Sequence, residues 1–293
     1  MTDQPCTATG TARRSLWASA LSCAVALLPL PAQALIVTQW QVTVDSTFDP
    51  ASIVDSEGNT PGDVTISNSD RTLSWGSGSN GPSGLEITNS PVNTIVDTSI
   101  TPTVLPPVGN VFVTHNNQPI TGNTLDRVSM LNEITLTSVV PPGSSQPPTV
   151  LSFLIDFQET ANNPDPCPDG GANGVGVNAN GCGDIFVIGA DALNYSFFYD
   201  GGDGVDQEYF ISFVEVTNGL QSLSPDACLS ATGSADPCLG FVTPEQASTS
   251  FQFGTIITTD PVVVIPPEVP APGVLGLMGL GLVIMRFVRR RPA

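Results

Sequence analysis

The chain's one histidine stands in Val111-Phe112-Val113-Thr114-His115-Asn116-Asn117-Gln118-Pro119-Ile120, where an apolar strand-like run gives way to a polar turn. A neutral imidazole can bind a ligand or pass a proton near neutral pH, and Asn117 is close enough in sequence to orient it. The alternative is structural. Thr114 and Asn117 would bond to backbone groups of the turn while a carbonyl holds His115. A structural role is favoured, because one histidine with no linked nucleophile is weak ground for catalysis. The sequence has no Gly-x-Ser-x-Gly elbow and no second histidine to make a metal pair.

Carboxylates offer a second chemistry. Asp200-Gly201-Gly202-Asp203-Gly204-Val205-Asp206-Gln207-Glu208 contains one Gly-Gly-x-Gly-x-Asp unit, and Asp165, Asp169 and Asp184 lie in or beside the segment between Cys167 and Cys182. Calcium takes about six to eight oxygens from flexible loops, so Asp200, Asp203, Asp206 and Glu208 are its candidate ligands. A plain solvated hairpin turn is the alternative, since the motif's usual home is a tandem array in which neighbouring turns complete each site. Paired carboxylates such as Asp200, Asp203 or Glu208 are also what a glycan hydrolase would use.

The elements that must position these groups are strands. Trp40, Val42 and Val44 alternate with Gln39, Gln41 and Thr43, and Leu151, Phe153, Ile155 and Phe157 alternate with Ser152, Asp156 and Gln158. Period-two alternation buries one face of a sheet. Further strand-like runs are Leu73 to Trp75, Leu85 to Thr88, Val111 to Thr114, Ile134 to Val139, Ile185 to Ile188, Tyr195 to Tyr199, Tyr209 to Val216 and Phe251 to Ile257. Asn80-Gly81-Pro82, Thr121-Gly122-Asn123, Pro141-Pro142-Gly143 and Asp200-Gly201-Gly202 punctuate them as turns. Many short strands with such punctuation predict an all-β, sandwich-like domain. Only Thr243-Pro244-Glu245-Gln246 predicts a brief helical turn, with Thr243 as cap.

Both ends carry address-like segments. Arg13 and Arg14 precede an apolar stretch from Leu16 to Leu30, and Ala32-Gln33-Ala34 offers small residues for cleavage, which predicts a signal peptide over 1–34. An all-β domain over 35–260 and a Pro-rich spacer over 261–269 follow. The last segment, 270–293, joins Pro270, Ala271 and Pro272 to an apolar run from Val274 to Met285 and then to Arg289, Arg290 and Arg291. That run is shorter than the roughly 20 residues of a relaxed spanning helix, so it predicts transient inner-membrane anchoring with the arginines kept cytoplasmic.

Removing both ends changes the charge. Of 27 acidic residues only Asp3 is lost, while all but Arg71 and Arg127 of the eight basic residues go. Two arginines against 26 carboxylates leave a net charge of −24. Nucleic acid is thereby excluded as a partner, and an anionic membrane surface is disfavoured. Bound cations or salt would relieve the self-repulsion. Cys167, Cys182, Cys228 and Cys238 remain after Cys6 and Cys23 leave with the leader. An even number in an exported chain predicts two disulfides, and of three pairings the local one, Cys167 with Cys182 and Cys228 with Cys238, closes two loops rich in Gly, Asn, Asp and Pro. Zinc is the weaker alternative, because these spacings lack a close cysteine pair.

The tail resembles the PEP-CTERM sorting signal of Gram-negative bacteria, which is passed to exosortase, a membrane cysteine protease; Ala271 stands where that signal commonly has Glu. Thr114, His115 and Asn117 match the fixed positions of the THxN family of PEP-CTERM proteins. The resemblance implies signal peptidase and exosortase as partners, a secreted or cell-surface location, and a structural or binding role near exopolysaccharide or biofilm matrix. It implies no catalytic residues. A carboxylate-dependent glycan hydrolase is the alternative from another class.

Overall fold

The computed structural model describes residues 34–60, 62–101, 103–189 and 194–262. The expected leader up to Gln33 and the sorting segment, with Pro270, Ala271, Pro272 and its arginines, lie outside the described residues. Alternation builds β1 (Gln39–Phe48), whose Trp40, Val42, Val44 and Phe48 are buried. There follow β2 (Val54–Asp55), β3 (Thr65–Ser67), β4 (Thr72–Trp75), β5 (Ser83–Thr88), β6 (Val92–Ser99), β7 (Val108–Asn116), β8 (Leu125–Val140) and β9 (Thr149–Gln158). After a disulfide-closed loop come β10 (Asp184–Ile188), β11 (Tyr195–Asp200), β12 (Asp206–Glu215), β13 (Gln221–Ser222), α1 (Pro225–Thr232), β14 (Leu239–Thr243) and β15 (Ser248–Thr258). The fold is all-β, as the alternation predicts.

Hydrogen bonds join the strands in one path, β13-β14-β10-β9-β8-β1-β6-β15-β7-β5-β4-β3, with β2 pairing β8, and β12 pairing β15 and β11. The junction of β6 with β15 is a short parallel contact, Ile257↔Thr98 and Thr258↔Ser99. Strands from both sides of it share one core. Trp40 of β1 lies edge-on to Tyr199 of β11 and Tyr209 of β12 at 5.0 and 5.2 Å. Phe153 of β9 meets Phe253 of β15 at 5.4 Å, and Phe186 of β10 meets Phe251 of β15 at 5.5 Å. Such aromatic pairs add about 0.5 to 1.5 kcal/mol each beyond the area they bury.

The expected helical turn at Thr243-Pro244-Glu245-Gln246 is not formed. Thr243 ends β14, and Gln246, at φ +60°, turns the chain into β15. A capping signal is local, and here the residues after it return to strand, so no helix propagates. The helix that does form, α1, has the same kind of signal: Ser224 accepts from the Ala227 amide at 3.0 Å, Pro225 opens it, and Gly233 closes it in the left-handed conformation. Among the described residues no helix is long and apolar enough to cross a membrane.

The cysteines pair locally, Cys167 with Cys182 and Cys228 with Cys238, across 15 and 10 residues of chain. The first bridge closes the loop between β9 and β10; the second ties α1 to the segment entering β14. Replacing Cys167 and Cys182 together by Ser is expected to cost about 3 kcal/mol, or about 6 to 12 °C of melting temperature in a domain of this size. An unchanged thermal melt would show that the loop is held by other means.

Candidate functional site

Strand β7 turns Val111, Val113 and His115 inward and leaves Phe112, Thr114 and Asn116 partly exposed. Its neighbours are β5 and β15, with Leu85 and Thr249 opposite His115. The imidazole is therefore inside the protein, fully buried, stacked on Trp75 of β4 at 6.0 Å and meeting Phe157 of β9 at 4.8 Å. No carbonyl holds it, contrary to the expected turn: neither ring nitrogen has a hydrogen-bond partner. Burial pushes its pKa down to about 3, so it is a neutral imidazole near pH 7. Asp184 Oδ2, at 3.9 Å from Nε2, is then a close neighbour of that ring and not an ion-pair partner.

Thr114 faces the other way, where its hydroxyl hydrogen-bonds that of Ser250 on β15 at 2.7 Å. It belongs to no network with His115. Asn117 is fully buried and does something different again: its backbone amide donates to Ala247 O at 2.9 Å and its Nδ2 to Thr243 O at 3.0 Å. It thus grips both ends of the turn that carries Glu245.

Glu245 does not stand alone. One carboxylate oxygen each from Glu159, Asp184 and Glu245 come within 4.8 Å of one another. Register explains the meeting: Asp184 pairs with Thr243 and Ile185 with Gln158, so the ends of β9, β10 and β14 lie side by side. Asp184 Oδ1 accepts from the Thr160 amide at 2.9 Å and hydroxyl at 3.3 Å, and Glu159 Oε2 accepts from Trp75 Nε1 at 2.9 Å. Glu159 and Asp184 stand close enough for their carboxyls to share a proton, but most other polar atoms here have no partner of good geometry. Asp184 Oδ2, both Glu245 oxygens, Asn117 Oδ1, Thr243 Oγ1 and both His115 nitrogens are seven of the ten buried, unpartnered side-chain atoms among the described residues.

Electrostatics follow from that crowding. Burial raises the Asp184 pKa to about 9, with the charge of Glu159 adding to it, and burial raises Glu159 to about 7. Glu245 is raised by burial too, offset in part by the nearby Asn162 and Asn117 amides, neither of which makes a well-formed hydrogen bond to it. A cluster of this kind can share protons among its carboxyls or hold a cation with them. Polymer hydrolysis is out of its reach, since Asp184 and Glu245 are 0% and 2% exposed and a substrate must touch the reacting groups.

The acidic loop with the candidate calcium ligands bonds largely within itself. Asp200 Oδ1 accepts from the amides of Gly202, Asp203 and Gly204, at 2.8, 3.0 and 2.9 Å, and Asp203 accepts from Val205 N and Leu35 N. No three of Asp200, Asp203, Asp206 and Glu208 bring their oxygens together; the carboxylate trio described above is the one such group among the described residues. Asp165 and Asp169 likewise bond within their own loop, to Asn173, Gly171 and Asn178. No family model matches the chain, and no curated protein matches it. Of the cluster, sequence alone singles out His115, Asn117 and Asp184, while Glu159 and Glu245 go unmarked. The available signal was a charged residue within two positions of the end of each of two apolar strands, at Gln158-Glu159 and Thr243-Pro244-Glu245.

His115→Ala is expected to cost about 2 to 4 kcal/mol by opening a cavity between Trp75 and Phe157. Thr114→Val should cost about 0.5 to 1 kcal/mol for one exposed hydrogen bond. Because the two side chains face opposite ways, their double mutant should be additive to within about 0.5 kcal/mol; a coupling well beyond that in chemical denaturation would mean a shared network after all.

The pH profile separates the groups. Glu159 and Asp184, raised in the folded state, favour folding when protonated, fully so below their unfolded values near pH 4, and that contribution is lost as pH rises through about 7 and about 9. His115, lowered, favours folding above about pH 6.5 and opposes it below. With chelator present, the melting temperature should therefore fall from pH 6.5 to 9, and Asp184→Asn should flatten the fall. A flat wild-type profile would mean that these carboxyls ionise without cost.

Proposed function

We propose that the chain is an exported bacterial surface or matrix protein, sorted by an exosortase-type system, with a structural or binding role. The observation that carries this is the pair of disulfides in the body, Cys167 with Cys182 and Cys228 with Cys238, since such bridges persist in oxidising compartments. The sorting-signal resemblance of 270–293 and the leader-like 1–34 point the same way. The match to Thr114, His115 and Asn117 supports grouping the body with the THxN proteins, and the two groups of strands joined through β6 and β15 are read as a sandwich. Exopolysaccharide is the proposed partner, in a biofilm setting.

One contact bears on processing. The Leu35 amide donates to Asp203 Oδ2 at 2.7 Å. Cleavage after Ala34 would turn that amide into an ammonium group facing the same carboxylate, a charge-assisted bond that fixes the new end of the chain. The hydrolase alternative gains nothing from its candidate loop: the Gly202 and Gly204 amides hold Asp200 below the ordinary carboxylate range, the reverse of what a general acid needs.

Mass spectrometry of the extracellular product should find Leu35 first and the arginine cluster missing. A product that still ends at Ala293 would refute the sorting scheme. The same material should bind exopolysaccharide without releasing sugar; released sugar would favour the hydrolase.

A further inference from the structure

Seven orphaned polar atoms in one buried place are costly, because each unmade hydrogen bond inside a protein forfeits the water it gave up. What distinguishes this group from a chance collection is its chemistry. Five of the seven are oxygens, four of them carboxylate or amide oxygens, and they come from the Asp184 strand end, the Glu245 turn and Asn117. His115 is the independent witness. It is fully buried, its Nε2 lies 3.9 Å from Asp184 Oδ2, and neither of those atoms has a hydrogen-bond partner. An unpartnered imidazole nitrogen and an unpartnered carboxylate oxygen, too far apart to bond each other, leave room for a positive partner beside them.

We propose that Glu159, Asp184 and Glu245, with His115 Nε2 beside Asp184, form a buried structural site for one hard divalent cation. Three carboxylates select a hard divalent cation over thiolate-seeking metals. Their oxygens all lie within 4.8 Å of one another, close enough to share one ion. Thr243, paired with Asp184 across the sheet, has a buried hydroxyl without a partner, and His115 is held between Trp75 and Phe157. The ion would join the Glu245 turn, the Glu159 strand end and the disulfide-loop exit at Asp184. This site does not depend on export or sorting, and it is distinct from the Asp200 loop.

The test uses the purified exported protein, stripped with EDTA and returned to buffer of constant ionic strength. Calorimetric titration with calcium chloride should give one ion per chain, and the melting temperature should rise with the logarithm of calcium once the site saturates. Glu245→Gln and Asp184→Asn should each weaken binding by at least about tenfold. Asp203→Asn should leave it unchanged. Terbium gives a readout independent of stability: bound at this site it should emit when tryptophan is excited, and calcium should displace it and remove that emission. Equal effects of calcium and ionic-strength-matched sodium would overturn the proposal. So would a calcium response that survives Glu245→Gln, and so would terbium emission that excess calcium does not displace, which remains decisive even if the carboxylate variants fail to fold.

Discussion

A carboxylate taken out of water must be given something in return, and the interior where β7, β9, β10 and β14 end contains a cluster of three. The structure around that place is arranged to hold them in spite of the cost. Thr160 bonds Asp184 and, through its hydroxyl, Cys182 O at 2.7 Å; Asn178 accepts from the Gly183 amide at 2.8 Å. Gly183 itself has to be glycine, since a Cβ there would stand 2.8 Å from Thr243 O. The chain leaving the first disulfide therefore reaches β14 closely enough to set Asp184 opposite Thr243. On the other side, Asn117 fixes the turn that presents Glu245. Remove that grip and Glu245 has an escape to solvent.

The same constraint gives the first disulfide loop a meaning beyond its own closure entropy. Cys182 is separated from Asp184 by Gly183 alone, so the bridge to Cys167 fixes where the strand enters. Outside, a net charge of −24 on the body makes cations welcome at the surface, and inside, the orphaned oxygens make one welcome at the core. These are separate demands. Diffuse screening answers the first, whereas only a group placed among the carboxylates answers the second, because screening by salt does not reach a buried pair.

Much of the strand content was legible because period-two alternation is a local property: Trp40 to Val44 and Leu151 to Phe157 announce which face is buried, and the structure buries it. Strand β6 was missed, since Val92–Ser99 mixes Asn, Thr and Asp into its run and shows its apolar face only beside β1 and β15. The Thr114, His115 and Asn117 motif was legible as positions and misjudged as a turn. Because β7 extends to Asn116, alternation sends Thr114 and His115 to opposite faces, and only Asn117 falls where the strand has ended. Glu245 was hidden by a helix-capping pattern that its sequel does not support. The carboxylate cluster as a whole was not legible at all, because it exists only through the registers Asp184↔Thr243 and Ile185↔Gln158, and register between distant strands leaves no local trace.

A cluster assembled from the ends of β7, β9, β10 and β14 cannot form before the long-range ladders that bring those ends together. Loop closure between such distant segments has to be completed first, so interactions at the cluster belong late on the folding path. Interactions made late are absent from the transition state, and what they contribute falls mainly on the unfolding rate. For a disulfide-bonded protein that meets proteases, survival is governed by how seldom it opens. Buried carboxylates that look like a flaw in the core then make physical sense as half of a fastening. They penalise the open-ended state in which Glu159, Asp184 and Glu245 face one another unbalanced, and they reward the closed state in which something positive lies between them.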